Sequence, residues 1–145
     1  MTTINSSLLA ELDAGNQAES NPEILRVILS DQYTRIDFGY VAPWIYVRGG
    51  WITIAAHTFI KVHGSSKYYK LIEARNIPLA PEQFEFESTE DWRVFSLYFE
   101  PIPKKDCQFD IIEEENPTQN DFNFYNIMIT INSKSEVDTR PAYSI

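Results

Sequence analysis

Trp92-Arg93-Val94-Phe95-Ser96-Leu97-Tyr98-Phe99 decides the fold class. Val94, Ser96 and Tyr98 alternate with Arg93, Phe95, Leu97 and Phe99. A period of two is that of a β-strand, and aromatic and β-branched residues suit a pleated surface. The second set is mostly large and apolar, so Phe95, Leu97 and Phe99 are expected in the core. Pro101-Ile102-Pro103 ends the strand, because proline cannot donate to a ladder.

The same pattern extends in both directions. Toward the N-terminus, Phe84 to Glu87 alternates, and Asn76-Ile77-Pro78-Leu79-Ala80-Pro81 must be extended or looped, since prolines bias their neighbours away from helix. Thr58 to Val62 and Lys67 to Ala74 flank Gly64-Ser65-Ser66 and read as a β-hairpin. Trp51 to Ile54 is a short strand after Gly49-Gly50. Thr34 to Tyr40 places Ile36, Phe38 and Tyr40 on one face, and Ile24 to Leu29 is an apolar run broken by Arg26. Toward the C-terminus, Phe109 to Ile112 and Phe122 to Ile131 are the last strands, with Phe122, Phe124 and Ile127 sealing one end of the core.

Short strands without a long amphipathic helix exclude a parallel βαβ design and predict an all-β, immunoglobulin-like antiparallel β-sandwich of about seven to nine strands. Residues 1–22 stand apart: they are polar and lack aromatics. Ser7 is placed to cap a short helix that puts Leu8, Leu9 and Leu12 on one face, with Gly15 as its stop. Such a helix is too short to be stable alone, so the segment docks on the body, docks on a partner, or stays mobile. The expected organisation is an N-terminal helical or flexible segment over 1–22, a sandwich over 23–131 and a flexible tail over 132–145.

The chain of 145 residues carries a formal charge of −9 and a single cysteine, Cys107. One thiol supports no disulfide framework and fits a reducing compartment. The first residues have no basic and apolar leader pattern, and no apolar run is long enough to span a membrane, so a cytoplasmic protein is expected. The acidic balance disfavours nucleic acid. It serves solubility, with a basic partner as the sharper alternative.

Phosphate-loop, dinucleotide, paired-cysteine, zinc-protease and nucleophile-elbow motifs are all missing. His57 and His63 read as surface or turn residues rather than metal ligands, and Cys107 as a small packing residue. Acids gather at Glu82, Glu85, Glu87, Glu90 and Asp91, and again at Asp110, Glu113, Glu114, Glu115 and Asp121. Carboxylate pairs can hydrolyse glycosides or hold calcium, but solvated loops are the plainer reading. The aromatics are the better handle. Trp44 and Tyr46 share a face if extended, and exposed aromatics on a sandwich grip sugars or peptides.

Gly50-Trp51-Ile52-Thr53-Ile54, Tyr69-Lys70-Leu71, the 76–81 proline segment, Phe95 to Pro103, Phe109-Asp110-Ile111-Ile112-Glu113 and Phe122 to Ile127 follow one another in an order that resembles small immunoglobulin-like bacterial domains of uncharacterised function. The resemblance covers roughly residues 24–131 and implies the sandwich fold, with no catalytic residues to carry over. The expectation is a non-catalytic protein-interaction or accessory module of a larger bacterial assembly, with no cofactor, no metal, and no nucleic-acid or membrane partner. Its candidate surface is Trp44, Tyr46, Leu8, Leu9 and Leu12. A carbohydrate-binding module is the alternative.

Overall fold

The computed structural model describes residues 7–13, 22–41, 51–52, 54–79, 84–85, 92–114 and 122–136. Every regular element among them is a strand: β1 Leu8–Asp13, β2 Glu23–Leu29, β3 Thr34–Val41, β4 Trp51–Ile52, β5 Phe59–Val62, β6 Tyr68–Arg75, β7 Phe84–Glu85, β8 Trp92–Phe99, β9 Cys107–Ile112 and β10 Phe124–Glu136. The strands expected from alternation are therefore present. Phe95, Leu97 and Phe99 are fully buried, and Ile36 and Phe38 face them from β3.

Their assembly corrects the expected architecture. The strands do not form an open sandwich; they close into an antiparallel barrel in the order β1-β10-β9-β5-β6-β8-β3-β2, with β4 and β7 forming a separate two-stranded sheet. The correction begins at the N-terminus. Leu8–Asp13 is a strand rather than a helix. It pairs with β2 through Leu8↔Leu29 and Ala10↔Val27, and with β10 through Ala10↔Ile131 and Leu12↔Ile129. This one stave joins two strands that would otherwise be sheet edges, and closure removes edges altogether. β10 likewise continues past Ile131 to Glu136, and Leu8 pairs with that terminal residue.

Register shifts interrupt four of the barrel pairings, and two of them place core residues. In β10 the register shifts between Phe124 and Ile127, so both of these side chains reach the core. Asn126 takes a left-handed φ of 59° there, a conformation that asparagine tolerates better than most residues. In β2 the shift between Ile24 and Arg26 turns both Ile24 and Val27 inward and leaves Leu25 exposed. Phe38 is fully buried in an aromatic cluster of the core. Its ring centroid lies 5.2 Å from Phe95, 5.1 Å from Phe122 and 5.6 Å from Phe124. An eight-stranded barrel is just wide enough for side chains to fill, and this aromatic cluster is part of the core packed inside it.

Candidate functional site

Among the described residues, aromatic and aliphatic side chains pack against one another inside the barrel. The hairpin of β5 and β6 supplies a groove. Phe59, Ile60 and Lys61 oppose Lys70, Tyr69 and Tyr68 in register. Alternation sends Ile60 and Tyr69 into the core and leaves Phe59, Lys61, Tyr68 and Lys70 outside. The Phe59 and Tyr68 rings stack diagonally at 4.5 Å with 16° between their planes. The Lys61 ammonium lies 5.9 Å from the Tyr68 ring centre.

The turn before β5 forms the other wall, through Ala56, His57 and Thr58, and Leu71 adds to the floor; together with Phe59, Tyr68 and Lys70 they line about 260 Å³ of space. That turn is held from both sides. The Thr58 N–H and hydroxyl both donate to the Ala55 carbonyl, at 3.1 and 2.7 Å. The Leu71 N–H donates to the Thr58 carbonyl at 3.1 Å. Glu113 ties the turn to a neighbouring loop: its Oε2 accepts the Ala55 N–H at 3.2 Å and its Oε1 accepts the Phe122 N–H at 3.0 Å.

The acids at the end of β9 thus serve as structural clamps. Asp110 accepts the Asn126 N–H at 2.8 Å, which fixes the β10 bulge, and lies 2.8 Å from His63 Nε2. His57 Nε2 lies 2.8 Å from the Glu113 carbonyl and 3.1 Å from Glu114 Oε1. The two histidines bracket β5 and each binds the β9 side of the barrel rather than a common centre. Among the described residues no group of three or more histidine, cysteine or acidic side chains is arranged to hold a metal ion. Cys107 is half-buried against the core. Burial pushes its thiol up, the Lys105 charge lowers it and the Asp106 charge raises it, with a net upward result that disfavours the nucleophilic thiolate.

The candidate surface residues from the sequence fare differently. Leu12 packs against the core, Leu8 is half-buried, and Leu9 lies outside at 36% exposure, so the three form no shared docking face. Trp44 and Tyr46 lie outside the described residues, as does most of the first acidic group. The groove was missed, yet a signal for it stands in the sequence. Residues 38–72 contain no aspartate or glutamate, in a chain with 21 of them, and they hold both histidines together with Arg48, Lys61, Lys67 and Lys70.

The described residues form a closed antiparallel β-barrel with a groove on its outer wall. The chain matches no family model, no curated protein and no solved structure. No helix among the described residues is long and apolar enough to cross a membrane.

Proposed function

We propose that the protein is a non-catalytic binding module that receives one large side chain of a protein partner in the β5–β6 groove. The size of the groove carries this reading. Sites for whole small molecules occupy roughly 300–1,000 Å³, and about 260 Å³ falls below that range. A pocket of this size fits a single anchor residue, and interfaces concentrate their energy on such anchors. Tyr68 is 46% exposed and Ile72, farther along the same strand, is 58% exposed, which extends apolar surface beyond the groove.

Barrel closure limits how the partner binds. Strand addition needs a free edge, and the eight barrel strands have neighbours on both sides. Recognition by side chains is then the mode the barrel allows. A sugar-binding reading has less support here, because a sugar ring needs an open aromatic face, while Tyr68 is stacked on Phe59 and approached by Lys61.

Affinity capture with the full chain and with a Tyr68→Ala variant tests the proposal. A partner held by the wild type and lost by the variant supports the groove. Equal capture by both proteins contradicts it.

A further inference from the structure

The groove lies on a hairpin that carries lysines in a run of sequence without acids. The acid-free run 38–72 covers all of β5 and all but the end of β6, and Lys61, Lys67 and Lys70 are exposed on that hairpin. Among the described residues none of these three lysines is paired with a carboxylate. Lys61 and Lys67 instead lie over the Tyr68 and Tyr69 rings, at 5.9 and 4.8 Å. The acids around the rim are already engaged: Asp110, opposite Lys61 on β9, by His63 and the Asn126 N–H, Glu113 by the Ala55 and Phe122 N–H groups, Glu114 by His57, and Glu100 by the Lys70 backbone N–H, which donates to its Oε1 at 2.9 Å.

We infer that the groove takes an acidic peptide segment, in which one large apolar side chain enters between Phe59, Thr58 and Leu71 while flanking carboxylates meet Lys61 and Lys70. This deepens the binding reading above and rests on it. The formal charge of −9 does not oppose it. At physiological ionic strength charges are screened over about 8 Å, so the local balance decides: the three lysine ammoniums are exposed and unpaired with a carboxylate among the described residues, whereas Asp110, Glu113, Glu114 and Glu100 are each held by a neighbouring group. Complementary charge of this kind sets register and rejects wrong partners. A single-stranded nucleic acid fits less well, since its bases need aromatic faces to stack on, and Tyr68 gives its ring to Phe59 and Lys61.

Selection from a random-peptide display library on the full-length protein tests the inference. The expected pool carries aspartate or glutamate on both sides of one large apolar residue. A synthetic peptide from that pool should bind roughly thirtyfold more weakly to Tyr68→Ala, the scale of an anchor residue. It should bind roughly tenfold more weakly to the double variant Lys61→Gln/Lys70→Gln, whose surface changes leave the fold intact. A pool that depends on Tyr68 but is neutral or basic overturns the acidic specificity and leaves the groove standing. An unenriched pool, or one indifferent to Tyr68, overturns both. Self-association that Tyr68→Ala abolishes would make a second copy the occupant and overturn the inference. So would a single-stranded oligonucleotide that displaces the peptide and binds more tightly than it does.

Discussion

Asp37 is a carboxylate fully buried on β3, facing away from Ile36 and Phe38. It accepts Arg35 Nε–H at 2.8 Å, an Arg35 Nη2 hydrogen at 3.1 Å, the Ser96 hydroxyl at 2.6 Å, and Arg26 Nε–H. Burial pushes this carboxyl up, but the hydrogen bonds from Arg35, Ser96 and Arg26 and the Arg35 charge outweigh it and hold the group below its ordinary value of 3.8. A carboxyl depressed in the folded state stabilises the fold above its unfolded value, and the stabilisation is lost as pH falls through the lowered one. Thermal melts followed from neutral pH into the acid range should hold steady until below the ordinary carboxylate value and then fall. An Asp37→Ala variant should have lost that acid step and about 3–5 kcal/mol of stability, since it removes the carboxylate to which the buried Arg35 guanidinium donates two hydrogen bonds. Phe124, buried at 3% exposure against Phe38 and Phe122, tests the core in the same way. Phe124→Ala should cost about 3–5 kcal/mol in denaturant unfolding, and near wild-type stability would contradict its placement.

At the scale of elements, the strands with regular alternation were legible. Trp92–Phe99 and Thr34–Val41 announce their inward faces residue by residue. The N-terminal strand was not, and the reason is local. Leu8, Leu9 and Leu12 fit a helical spacing, whereas the strand turns Leu12 and the small Ala10 inward and leaves Leu9 outside. Alanine carries too weak an apolar signal to mark a strand face, and Leu9 adds a misleading one. The β10 bulge hid a second feature, because Phe124 and Ile127 break the period of two. The groove was illegible for a different reason: it needs Phe59 and Tyr68 to stack across a hairpin, and it needs Glu113 to reach the Ala55 turn from far along the chain. Pairing on both sides of β1 predicts that Ala10→Pro, which removes a ladder donor, costs about 2 kcal/mol or more where it strands a buried backbone partner. Glu11→Ala, on the exposed face of the same strand, should stay within about 0.5 kcal/mol. Chemical denaturation of the two variants checks the contrast, and equal losses would argue against the strand.

For the whole molecule, closure and charge distribution act together. The barrel leaves its eight strands without free edges, so the outer surface is defined by side chains rather than open backbone. The chain is acidic as a whole, with a formal charge of −9, while the 38–72 run that holds β5 and most of β6 carries lysines and no acids. The sandwich expectation and the barrel share most of their strands. They part at β1, which the expected sandwich set outside the domain and the barrel places between β2 and β10. The β1 stave closes the barrel by pairing with both β2 and β10. Amide hydrogen exchange on the full chain, read residue by residue by NMR, tests it without perturbing the protein. Amides within Leu8–Asp13 that donate to β2 or β10 should exchange as slowly as those of the core strands β3 and β8. Complete exchange of Leu8–Asp13 at the rate of an unprotected tail, while β3 and β8 remain protected, would contradict the closed barrel.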